Sequence, residues 1–259
     1  MLHRYIPMLV LLAGKVAGQP EHNSLSQAER AIPQGRVSFE DAREALEAEA
    51  AVPRGRFRFE DARIALEAAC GSPVSATHEA LCWNDRGLWH QLQGQYTQAE
   101  AMYARAVSGF EKAPLMNQRL LATTLHNLGA TYRELGRLEE AKQVVSRSLA
   151  LRQAAYGEDH PLTATTRGQL GTVYLAAGDL TRAEVLLQAA VLTHERFLPP
   201  THPDRVSGVH NLAQLRIAQN RYIPAVELLR GLIAPLGGAA DSPSLVHAAP
   251  YQTLAGLYR

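Results

Sequence analysis

Between residues 78 and 259 the apolar positions recur at helical spacing, in stripes that stop at a glycine and start again a few residues later. Leu125, Leu128, Tyr132 and Leu135 make one such stripe, and Leu138, Ala141, Val145 and Leu149 make the next, with Gly136 between them. Spacings of three and four place each set on one face of a helix. A glycine after the first stripe supplies the left-handed residue that ends a helix. The pattern therefore predicts two antiparallel helices joined by a tight turn.

The same pattern returns every 42 residues. Leu128, Leu170, Leu212 and Leu254 keep step, followed by Gly129, Gly171, Ala213 and Ala255. Gly94, Gly136, Gly178 and Asn220 form a second register, and Ala99, Ala141, Ala183 and Ala225 a third. Asn220 suits its place because Asn tolerates the left-handed conformation, and Pro224 falls in a first helical turn, where a missing N–H costs little. Gly129 is expected where a neighbouring helix comes close. A fixed period of this size marks a solenoid whose units bury their apolar faces against one another.

Leu, Gly, Tyr, Gly and Ala at places 7, 8, 11, 15 and 20 of each unit resemble the tetratricopeptide repeat. The first unit joins through Trp83, Gly87, Gly94, Tyr96, Ala99, Tyr103 and Ala106. The 42-residue length, with His160-Pro161 and His202-Pro203 one period apart, resembles the kinesin-light-chain-like subclass. The resemblance implies an all-α fold: a right-handed superhelical solenoid of antiparallel helix pairs, with four repeats and a half-repeat over 78–259. For function it implies protein or peptide binding in the concave groove, since a shared fold does not fix an activity.

Two further segments precede the array. In residues 1–18, His3 and Arg4 stand before an apolar run from Tyr5 to Ala13, and the segment reads as a secretory signal. Export to a periplasmic or extracellular space is the expectation, with a cytoplasmic location as the alternative. Residues 19–77 form a head in which 33–49 is copied at 53–69 with 12 of 17 positions identical. Phe39, Ala42 and Leu46, and their copies Phe59, Ala62 and Leu66, predict two thin amphipathic helices that cap the array or hang from it loosely. Cys70 and Cys82, twelve apart in helical surroundings, read as separate small core residues, although an exported chain would let them pair.

Composition narrows the functional classes. Lys+Arg 26 against Asp+Glu 25 gives a net charge of +1, which provides no field for nucleic acid. Mean hydropathy is −0.16, and no apolar run approaches the length of a membrane-spanning helix. Nucleophilic elbows, phosphate loops and zinc-protease motifs do not occur, so neither an enzyme nor a cofactor or metal site is expected. His160 and His202 are more simply turn-fixing residues than metal ligands, and Glu158, Asp159 and Asp204 read as helix-entry charges.

Candidate binding residues lie on the first helices of the repeats, whose uncovered side lines the groove in tetratricopeptide arrays. Place 6 holds Asp85, Asn127, Gln169 and Asn211, and place 5 holds Asn84, His126 and His210. Amide side chains both donate and accept, which suits the backbone of an extended peptide. Arg133 and Gln214 complete the set, while Asp85 would repel a peptide carboxylate. His126 and His210 would make the grip pH-sensitive. Leu88, Leu92, Leu175, Ala176, Ile217 and Ala218 are expected to add an apolar lining. The final half-repeat carries few charges, which points to self-association through that end. The leading reading is a non-catalytic scaffold, and the alternative is a sensory or regulatory arm of a larger intracellular protein.

Overall fold

The computed structural model describes residues 66–67, 70–71, 75–112, 117–236 and 245–257. The signal-like start, the first head copy and all of the second copy except Leu66 and Glu67 lie outside them. Among the described residues nine α-helices follow one another: α1 Ala76–Leu92, α2 Tyr96–Glu111, α3 Gln118–Glu134, α4 Leu138–Tyr156, α5 Pro161–Ala176, α6 Leu180–Phe197, α7 Pro203–Ala218, α8 Tyr222–Ile233 and α9 Leu245–Leu257. A short 3-10 turn, Ala234–Leu236, extends α8. No helix among the described residues is long and apolar enough to cross a membrane.

The odd-numbered helices are the A helices of the repeats and the even-numbered ones the B helices. Each B helix packs between its own A helix and the next, and successive A helices also touch, whereas successive B helices hardly meet. That asymmetry closes the array on its A side, so the A layer lines the inside of the curve.

The turn between A and B is set by one residue. Gly94, Gly136 and Gly178 have φ of 74, 76 and 79°, and Asn220 takes the same conformation at 59°. Side chains at this place would be strained unless, like Asn, they tolerate the left-handed region. The approach of B to A depends on a second small residue. A Cβ on Gly129 would overlap the Val145 side chain, and one on Gly171 would lie 2.8 Å from Leu187 Cγ. Around these contacts Ala99, Ala141, Ala183, Val145, Leu187 and Leu229 are fully buried.

His160 and His202 start α5 and α7. In each, the imidazole Nδ1 accepts the backbone N–H two residues on, from Leu162 at 3.1 Å and from Asp204 at 3.2 Å. The proline that follows occupies the first turn, where no N–H is needed.

Two expectations change. Cys70 and Cys82 form a disulfide, with their Cα atoms 5.7 Å apart, instead of standing as separate thiols. Leu66, Cys70 and Cys82 share one apolar cluster with Trp89, so the segment before α1 folds back on that helix and brings the two sulfurs together. The apolar lining foreseen for the inner face is in part core: Leu88 is buried, and Leu175 packs against the cluster that joins α6, α7 and α8.

Candidate functional site

The inner layer is held together by side chains that reach from one A helix to the next. Thr124 of α3 donates to Asn84 Oδ1 of α1 over 3.0 Å, and the Asn84 amide donates to Asp85 Oδ1. Thr131 of α3 and Tyr103 of α2 both donate to Gln91 Oε1, at 3.5 and 2.7 Å. Between α3 and α5 the Gln169 amide donates to the His126 carbonyl over 2.8 Å, Thr166 Oγ1 lies 3.3 Å from His126 Nδ1, and Arg133 donates to Thr172. Between α5 and α7, Thr165 donates to Asp204 Oδ2. His210 of α7 meets Thr253 of α9 at 2.9 Å.

Each candidate residue has its place in this frame. Asn84, Asp85, His126 and Asn127 are buried between neighbouring helices, Asn127 with no exposed surface at all. Arg133, Gln169, His210 and Asn211 are half-buried, and Gln214 is exposed. Arg133 also pairs with Glu134 at 2.7 Å. The Asn127 amide stands beside the Tyr103 phenol, yet neither its nitrogen nor its oxygen makes a hydrogen bond of good geometry. Gln169 Oε1 is likewise buried without a donor.

Burial sets the protonation of the imidazoles. It holds His126 well below the usual value, and the guanidiniums of Arg152 and Arg133 push the same way. His210 is brought down to about 4 by burial alone. His194, at the α5–α6–α7 junction, is also lowered by burial, against an upward pull from Asp204. Its Nε2 faces Pro161 O and Thr165 Oγ1, each at 3.2 Å, while Nδ1 is buried without a partner. These rings are neutral near pH 7 and act as hydrogen-bonding groups.

Sequence reasoning missed several of these groups. The cross-links made by Thr124 and Thr166 have a signal, since the two are 42 residues apart. Asp204 does more than greet a helix N-terminus: it is buried and accepts from Thr165. Arg152, nearly sealed from solvent at 5% exposure, donates from Nη1 to Leu162 O and Thr166 Oγ1 at 2.9 and 2.7 Å.

A tetratricopeptide-repeat family model matches residues 120–191, which run from α3 into α6. Residues 120–191 carry this repeat, and the described helices have the fold of a tetratricopeptide-repeat array. In fold its repeats are similar to those of kinesin-light-chain-like proteins. A Podosopora anserina protein described as a kinesin light chain with nearly identical TPR-like repeats superposes with a TM-score of 0.59 at 23% identity, covering 71% of this chain and 87% of that one. BtubC (BKLC) from P. vanneervenii gives 0.65 at 18% identity, covering 83% and 89%. The Rap conjugation gene regulator of plasmid pLS20, solved with the Phr* peptide, gives 0.54 at 14%, covering 82% and 62%. At these identities the likeness establishes the fold. No curated protein sequence matches this tetratricopeptide array.

Proposed function

We propose that the array is a non-catalytic scaffold that holds a protein or peptide along the inner face of its A helices. The observation that carries this reading is the set of amide groups on that face without an internal role. On that face Asn211 is half-buried and Gln214 exposed. Unpaired amides next to a solvated wall gain most by bonding an extended backbone, which offers donors and acceptors in alternation. An exported location suits the Cys70–Cys82 disulfide, because such bonds persist in oxidising compartments. The exposed Tyr251 of α9 suits self-association at that end.

The alternative, a sensory or regulatory arm of a larger intracellular protein, draws on the likeness to the Rap regulator that was solved with its peptide. The two readings share the inner face and differ in compartment.

The test is to capture a partner from the native source and measure its affinity for Asn211→Ala/Gln214→Ala. A loss of about tenfold or more at unchanged melting temperature is expected, the equivalent of one or two hydrogen bonds. Unchanged affinity in folded variants would remove the groove from the account.

A further inference from the structure

The outer surface of the array, made by the B helices, changes character along its length. Places 18, 22, 25 and 29 of each repeat fall on one face of the B helix, since their spacings are three and four. They hold Thr97, Ala101, Ala104 and Ser108 in the first repeat and Glu139, Gln143, Ser146 and Ala150 in the second. The third repeat brings Val185 and Leu192 there and the fourth Ile223, which are 65, 67 and 75% exposed. Place 26 changes as well. In the second repeat Arg147 pairs there with Glu111 at 2.6 Å and, with the Arg137–Glu100 pair, laces α4 to α2. The fourth repeat has Gly231 instead, where an added Cβ would meet nothing within 4 Å, and Gly231 lines a cleft of about 580 Å³ with Leu228, Leu232 and Pro235. Large exposed aliphatic side chains grouped beside an open notch mark a surface that another molecule covers.

The pattern on α8 says what that molecule is. The face that carries Ile223 continues through Glu227, Arg230 and Ala234, all exposed. In chain order it reads large, acid, base, small. Laid antiparallel on a copy of itself, it opposes Ile223 to Ala234 and Glu227 to Arg230, each pair occurring twice. Both pairs are centred on the same point of the helix, between Leu228 and Leu229, and a two-fold axis requires that coincidence. Gly231, one turn before Ala234, leaves room beside it for the incoming isoleucine. With 18 residues in α6 and 12 in α8, the two helices are about 27 and 18 Å long and present roughly 450 Å² to a partner. That area lies at the low end for a specific interface, so the association is reversible rather than obligate.

We propose that this outer face binds a second copy of the chain, α8 against α8, antiparallel about a two-fold axis. Ile223 of each copy sits over Ala234 and Gly231 of the partner subunit, Glu227 pairs with Arg230 of the partner subunit, and Val185 and Leu192 of α6 cover the flank. The acid–base pairs fix the antiparallel register, because a parallel arrangement would set like charges against each other. The surface lies on the side of the array away from the A helices, so the inference goes beyond the groove reading and does not depend on it. It is also separate from the exposed end at α9. In such a dimer the two inner faces point away from each other, and a partner with two binding segments would gain from holding both.

The measurement is sedimentation equilibrium of the full chain over concentrations from about 1 to 200 μM, the range in which so small an interface associates. The mass is expected to rise from that of one chain to that of two. Glu227→Arg and Arg230→Glu should each weaken the dimer by about tenfold or more, since either one sets like charges together twice. The double variant Glu227→Arg/Arg230→Glu restores opposite charges in both copies and should return the dimer to within about threefold of the wild type. Ile223→Ser should weaken it by about tenfold, and Tyr251→Ser, at the α9 end, should leave it unchanged. All of these positions are exposed, and an unchanged melting temperature shows that each variant is folded. A single-chain mass at every concentration overturns the proposal, as does a dimer indifferent to Ile223→Ser and to both single charge reversals. A dimer abolished by Tyr251→Ser assigns self-association to α9 instead. Loss in the single charge variants without recovery in the double one overturns the antiparallel pairing. None of these outcomes bears on the affinity of Asn211→Ala/Gln214→Ala for a captured partner, so the groove reading stands or falls by its own test.

Discussion

Where the A and B helices of one repeat meet, the contact is apolar and repeats itself: Gly87 against Tyr103, Gly129 against Val145, Gly171 against Leu187. Where one A helix meets the next, the contact is polar and changes at every step: Asn84 with Thr124, His126 with Thr166, Asp204 with Thr165, His210 with Thr253. The first seam is non-directional and tolerates any pair of the right combined volume, so one solution serves all repeats. The second is directional, and each hydrogen bond must be matched to its own partner. Packing of the repeats is thus uniform along the array, while the inner wall is individual at every height, which lets a uniform scaffold carry a specific surface.

The difference between the seams should show first in stability. Leu187→Ala removes a fully buried side chain from the apolar seam and is expected to cost about 2–5 kcal/mol, read from denaturant unfolding. A cost under about 1 kcal/mol would mean that the seam is not where the fold resides. Gly129→Ala drives a methyl into Val145 and should cost about 1–3 kcal/mol. Adding Val145→Ala should then hurt less in that background than in the wild type, and additive losses would deny the contact.

Acid should act on the polar seam. His210 is neutral in the fold with a pKa of about 4, against about 6.5 when unfolded, so its contribution is complete above pH 6.5 and lost as pH falls towards 4. Stability should drop over that window by up to about 3 kcal/mol, since each tenfold change in proton affinity is worth about 1.4 kcal/mol. His210→Gln should flatten the decline, and an unchanged slope would place the acid sensitivity elsewhere. The smallest effect is expected from Thr124→Val, about 1 kcal/mol for one hydrogen bond to Asn84, measured with the melting temperature.

The same contrast governs how much of the molecule is legible in the sequence. The apolar seam uses the same residue types at the same places, so a period of 42 exposes it, down to Asn220 in the role of a glycine. The inner wall keeps that periodicity only in part, in Thr124 and Thr166. Sequence register puts Asn84, His126 and Asn127 on the right helices, but it cannot tell that Thr124 and Thr166 draw two of them into contacts between repeats. Arg152 escapes the register because it sits on a B helix, outside the face that lines the groove. Its signal is a charge at the place that Phe110 and Leu236 fill in the first and fourth repeats. The cysteines mislead for a different reason: their pairing depends on a segment that folds back on α1, and no helical spacing encodes a reversal of the chain.

The Cys70–Cys82 bond also alters the protein as a mechanical object. A chain drawn out by its two ends cannot extend the twelve residues spanned by the crosslink, whose Cα atoms stay 5.7 Å apart. At about 3.4 Å per residue the oxidised molecule reaches its taut length about 35 Å before the reduced one. A single molecule held between two beads would therefore report its own redox state as a difference in length.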